Sequence, residues 1–118
     1  MKTEFTREHI KPDKNILHVR GDLTVQWSAM FKEKLIQLQE IGMGKTKKLV
    51  TVISLQEATA IDVSALQLLH AFKKVMESTG HSVSVVSPAL PSLADLIIKS
   101  GWGNILYNTI DVQHTKVN

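Results

Sequence analysis

The chain has 118 residues, no cysteine, 43% hydrophobic and 21% charged residues, and a formal net charge of +3. That size and balance suit one globular domain over residues 1–118 and argue against a disordered chain. Disulfide frameworks, thiolate nucleophiles and thiolate metal sites are excluded, and no run approaches the roughly 20 apolar residues of a membrane span.

Taken in chain order, residues 4–10 and 16–21 are strand candidates. They are separated by Lys11-Pro12-Asp13-Lys14-Asn15, whose Pro and Asp favour a turn, so a hairpin is expected first. Next, Trp27, Met30, Phe31, Leu35 and Leu38 recur at three- and four-residue steps, the stripe of a helix ending near Gly42 or Gly44. Residues 49–55 form a nearly continuous β-branched run, as expected of a central strand covered on both faces. Residues 56–63 read as a loop leading into a second helix over 64–78, with Ala65, Leu68, Leu69, Phe72, Val75 and Met76 on its inner face and Gly80 as its stop.

Val83, Val85 and Val86 mark another strand. A third helix fits residues 91–99, with Leu90, Leu93, Ala94, Ile97 and Ile98 inward and Gly101 just past its end. Residues 105–110 are expected to close the fold as a strand. The order β-β-α-β-α-β-α-β predicts an α/β layered domain.

The dense basic cluster Lys45-Thr46-Lys47-Lys48 reads as a solvated loop rather than a nucleic-acid patch, and the few aromatic residues are not interleaved with basic ones as base stacking would need. The opening residues 1–7 lack the apolar run of a secretion signal, so a cytoplasmic protein without direct membrane insertion is expected. His9, His18, His70, His81 and His114 are scattered without ligand spacing. No phosphate-cradling glycine loop, dinucleotide fingerprint or nucleophile elbow is present. The expectation is a non-enzymatic protein without metal or cofactor.

The segment Asp62-Val63-Ser64-Ala65-Leu66 carries the chemistry that remains. It places Ser64 near a helix start, where backbone N–H groups lack intrahelical partners and an added anion gains hydrogen bonds and a favourable dipole. Capping of the helix by Asp62 or Ser64, worth about 1 kcal/mol, is the plainer account of the same residues. The two roles are compatible.

This segment resembles the Asp-Ser-Ser-Gly-Leu-like hallmark of the STAS family, the sulfate-transporter and anti-sigma-factor-antagonist domains. Gly21-Asp22-Leu23-Thr24 is similar to that family's turn before the first helix, and Ser87-Pro88 and Ser100-Gly101 match further landmarks. Val63 stands in place of the first serine, Ala65 in place of the glycine and Thr24 in place of an aspartate.

The resemblance implies a STAS-like fold with a mixed, mostly parallel sheet. It implies that Ser64 is the phosphoacceptor, with Asp62, Val63, Ala65, Thr24 and Thr59 binding the partner, Asp62 orienting the loop and Thr24 capping the first helix. The implied function is that of an anti-sigma factor antagonist, which sequesters an anti-sigma factor, often itself a serine kinase, until phosphorylation releases it. A serine phosphatase would reset the switch. Two other readings stay open: a constitutive STAS subunit of an ABC lipid-transport or stress-signalling complex, and a small-molecule-binding domain in which Trp102 lines a pocket instead of packing on the third helix.

Overall fold

The computed structural model describes residues 2–106. Strands β1 (Glu4–Lys11) and β2 (Lys14–Leu23) form the expected antiparallel hairpin, closed at the Lys11–Lys14 pair across Pro12-Asp13. Strand β3 (Val50–Ile61) lies between β2 and β4 (Ser82–Val86) and runs parallel to both, giving the order β1-β2-β3-β4. Parallel neighbours need long crossovers. Helix α1 (Ser28–Met43), entered through one 3₁₀ turn at Val25–Trp27, provides the first, and α2 (Val63–Ser78) the second. Helices α3 (Pro91–Lys99) and α4 (Gly103–Leu106) follow β4.

Alternation along the strands decides where the core sits. Leu17, Val19 and Leu23 of β2 and Ile53, Leu55 and Ala58 of β3 are buried, and they share one cluster with Phe31, Leu35 and Leu38 of α1, Leu66, Leu69 and Phe72 of α2, and Leu93 and Ile97 of α3. The helices therefore cover one face of the sheet, and a ring stack between Phe5 and Phe31, 5.7 Å between centroids, extends that core to β1.

Several expectations need correction. The run at 49–55 is central but not equally covered: Thr51, Ile53 and Leu55 are buried, whereas Val50 and Val52 are only half-buried on the other face. The loop expected at 56–61 is strand. Here β3 continues beside β2 in the pairs Arg20–Glu57, Gly21–Ala58, Asp22–Ala60 and Leu23–Ile61, while β4 accompanies it only to Ser54. Register breaks between His18 and Arg20 and between Gly21 and Asp22 interrupt the two-residue period that a reader of the sequence looks for. Gly21, with φ +104°, sits within these breaks, and a Cβ there would lie 3.3 Å from the Thr3 backbone.

Met30, Val75, Leu90 and Ile98, placed inward by periodicity, are 41%, 46%, 44% and 59% exposed. Each lies at the border of its helix's apolar stripe, beyond the reach of the sheet. Ile105 and Leu106 of the expected closing strand are helical, because Gly101 with φ +90° ends α3 and a new turn begins with the amides of both residues donating to the Trp102 carbonyl. Residues 107–110 of that strand lie outside the described residues. Trp102 packs against the core and meets His70 of α2 edge-on at 6.1 Å.

A buried imidazole joins the far end of α1 to the start of β3. The Leu49 amide donates to Nδ1 of His81 at 2.9 Å, so Nε2 carries the hydrogen and donates to the Gly42 carbonyl at 2.9 Å. Among the described residues no helix is long and apolar enough to cross a membrane, and no three His, Asp or Glu side chains gather as a metal cluster.

Candidate functional site

The ends of β2 and β3 and the starts of α1 and α2 converge on Asp62. Its backbone is extended (φ −117°, ψ 176°), the conformation of an N-cap. Its amide donates to the Leu23 carbonyl at 3.2 Å, and its own carbonyl accepts from Leu66 at 3.3 Å. One carboxylate oxygen, Oδ1, accepts from the Ser64 hydroxyl at 2.6 Å and from the Ala65 amide at 3.3 Å. The other, Oδ2, accepts from the Val25 amide at 2.6 Å. One side chain thus caps two helix starts that are 37 residues apart in sequence.

That geometry corrects the role expected for Thr24. Thr24 holds the N-cap position before Val25 but makes no capping hydrogen bond through its side chain, and the side chain that does serve this helix start is Asp62, on the Val25 N–H. Thr59 belongs to a neighbouring pair: its hydroxyl donates to Oδ1 of Asp22 at 2.5 Å, linking the ends of β3 and β2. Ala65, inward by periodicity but a partner-binding residue by the resemblance, is only 1% exposed and packs in the core, so its side chain offers a partner no surface. Val63 is 56% exposed beside Ser64.

Ser64 itself is half-buried on the first turn of α2 and lines an open groove of about 310 Å³ with Ser28, Ala29 and Lys32 of α1 and Gln67 and Leu68 of α2. The groove lies where the two helix starts meet; Val25, 68% exposed, is not among its lining residues and joins the site through its amide bond to Asp62. Lys32, Ser28 and Gln67 are members of this site that the sequence reading missed. Lys32 follows Ser28 by one helical turn, but nothing in the sequence says that this face of α1 meets the start of α2.

Burial raises the Asp62 carboxyl's pKa, and the hydrogen bonds from the Ser64 hydroxyl and from the Ala65, Val25 and Ser64 amides together outweigh it, so the group is held below the ordinary value of 3.8. A carboxyl with a lowered pKa contributes stability that is present above the unfolded value and lost as pH falls through the folded one. Asp62→Ala is therefore expected to cost about 2 kcal/mol at neutral pH, about 1 for each helix start. The gap between wild type and variant should close as pH falls below 3.8. Urea midpoints measured for both proteins from neutral pH to acid check this; a gap that stays constant would remove Asp62 from the cap.

The family model described as MlaB, STAS domain, matches residues 6–107. No curated protein matches the sequence. Among solved structures, the unphosphorylated anti-sigma factor antagonist SpoIIAA is similar over 98% of both chains, with 12% identity and a TM-score of 0.68. The phosphorylated form of SpoIIAA, a Bacillus cell fate determinant, aligns over 98% of this chain and 100% of its own, with 14% identity and a TM-score of 0.62. TM1081 of Thermotoga maritima covers 96% of this chain and 93% of its own, with 19% identity and a TM-score of 0.69. At these identities the likeness is one of fold.

Proposed function

The chain belongs to the STAS domain family, and from that premise we propose that it acts as a single-domain, cytoplasmic, non-catalytic anti-sigma factor antagonist switched off by phosphorylation of Ser64. The observation that carries this reading is the position of the Ser64 hydroxyl. It lies on the first turn of α2, oriented by Asp62 and next in the chain to exposed Val63, and opens on a groove lined by Ser28, Lys32 and Gln67. The likeness in fold to both forms of SpoIIAA supports the same reading.

In the proposed cycle the unphosphorylated domain docks on an anti-sigma factor through the surface around Ser64. A serine kinase, which is that same partner or part of it, holds the nucleoside triphosphate. The γ-phosphoryl group moves to Ser64 Oγ, an O–P bond forms, the nucleoside diphosphate departs with the broken bridging bond, and the hydroxyl proton is taken up by a base of the kinase. Asp62 accepts the hydroxyl's hydrogen bond and so fixes where the oxygen lone pairs point. Hydrolysis by a serine phosphatase returns the hydroxyl and inorganic phosphate.

Incubation with a cognate kinase and radiolabelled ATP should label wild type at a peptide containing Ser64 and leave Ser64→Ala unlabelled. Undiminished label in that variant would refute the assigned acceptor. The MlaB description of the matching family model favours a second reading, a constitutive assembly subunit of an ABC lipid-transport or stress-signalling complex. Copurification with a transporter ATPase, and no kinase, is the result that would select it.

A further inference from the structure

We propose that Asp62 is a positioning residue that makes the start of α1 respond to the state of Ser64, so that modification of one helix start is also read at the other. The inference rests on the phosphorylation reading above and specifies how the change spreads.

Besides the Ser64 amide, the carboxylate has three donors. Ser64 Oγ and the Ala65 amide meet Oδ1, and the Val25 amide meets Oδ2. When Oγ becomes a phosphate ester it no longer bears a hydrogen, so the 2.6 Å bond from Ser64 is lost. The new anion then stands beside Asp62 and competes for the same Ala65 N–H, because a phosphate favours the unpaired amides of a helix start. Like charges at that separation cannot both keep their places in a partly desolvated corner. The carboxylate is a rigid plane, so repulsion that moves Oδ1 away from Ser64 also moves Oδ2 and disturbs its 2.6 Å bond from the Val25 amide.

The Val25 N–H is held by Asp62, and the Thr24 side chain makes no cap that would otherwise hold the turn. The 3₁₀ turn Val25–Trp27 is otherwise held by the Trp27 amide on the Thr24 carbonyl at 2.8 Å and by the Ser28 hydroxyl on the Val25 carbonyl at 2.8 Å. Loosening it displaces the Val25 side chain, which is 68% exposed on the surface proposed to dock. Phosphorylation then alters the docking surface in two places, through charge at Ser64 and through shape at Val25.

The test uses the isotopically labelled full chain as wild type, Ser64→Ala, Ser64→Asp and Asp62→Asn, with amide hydrogen exchange and amide proton shifts followed against pH by NMR. In wild type the Val25 and Ala65 amide shifts are expected to follow one common carboxyl titration. In Ser64→Asp the Val25 amide should exchange at least about tenfold faster, with the Leu49 amide at the opposite end of the fold unchanged. Ser64→Ala, which removes a donor without adding charge, should change Val25 much less. Adding Ser64→Asp to Asp62→Asn should accelerate Val25 no further, the non-additivity of two changes acting through one group.

Val25 exchange and titration that stay at wild-type values in Ser64→Asp would overturn the inference, and loss of partner binding by that same variant would leave the phosphorylation reading standing. Conversely, a Val25 response with undiminished partner binding would support the coupling and count against the switch.

Discussion

Phosphorylated at Ser64, the protein should bind its anti-sigma partner at least about 100-fold more weakly than the unmodified form, a difference of about 2.7 kcal/mol. The phosphate adds about −1.5 to −2 charges. Free in solution, the domain tolerates them, because Ser64 lies at the positive end of α2 and opens on a groove lined by Lys32. In the proposed complex the same oxygens would be sealed beneath the partner. Val63, next to Ser64 in the chain, and Val25, whose amide bonds to Asp62, are 56% and 68% exposed and would supply apolar surface that excludes water there. Taking an ion out of water costs on the order of several kcal/mol when no matching cation receives it.

The control is Ser64→Ala, which loses one hydrogen bond to Asp62 worth about 1 kcal/mol. Its affinity should fall by less than about tenfold. Calorimetric titration of the purified partner with unmodified, phosphorylated and Ser64→Ala protein separates the cases. Equal affinity of the phosphorylated and unmodified forms would end the account of Ser64 as a switch.

The second large effect concerns stability and involves no partner. Replacing His81 with alanine should lower the unfolding free energy by about 3 kcal/mol. The imidazole is 8% exposed and satisfies two backbone groups at once, the Leu49 amide and the Gly42 carbonyl. Truncation leaves the Leu49 N–H buried without an acceptor, at a cost of about 1–3 kcal/mol, and opens a void beside Gly42, against which both the ring and Met76 pack. Alanine in place of the exposed His70 should shift stability by less than about 1 kcal/mol. Urea unfolding of the two variants beside wild type is the measurement, and comparable midpoints for His81→Ala and wild type would show that the clasp contributes nothing.

This same histidine shows where reading a sequence stops. Its neighbours in the chain, Gly80 and Ser82, read as a turn between helix and strand, and that much the structure shares. Nothing local indicates that a ring at position 81 closes a contact with Gly42, 39 residues away. The same holds for the site. Asp62-Val63-Ser64 was legible as a helix start because N-capping is a local event, completed within three residues by the bond from Ala65 to Asp62. The second half of the cap, from Val25, depends on β2 and β3 ending side by side, and Thr24 was the natural local candidate for it.

What the sequence alone determined was therefore whatever depends on a few consecutive residues. The hairpin, the three longer helices and their order followed from periodicity, the capping of α2 by Asp62 or Ser64 from the local residues, and the family from short motifs in the right succession. The tertiary structure decided what depends on two distant segments meeting. It carried β3 on to Ile61 against β2, turned Met30 outward, and brought Lys32 to the groove beside Ser64. Side-chain hydrogen bonds and burial across such gaps are settled only when the whole core closes, because any one of them is worth too little to be written into the local pattern.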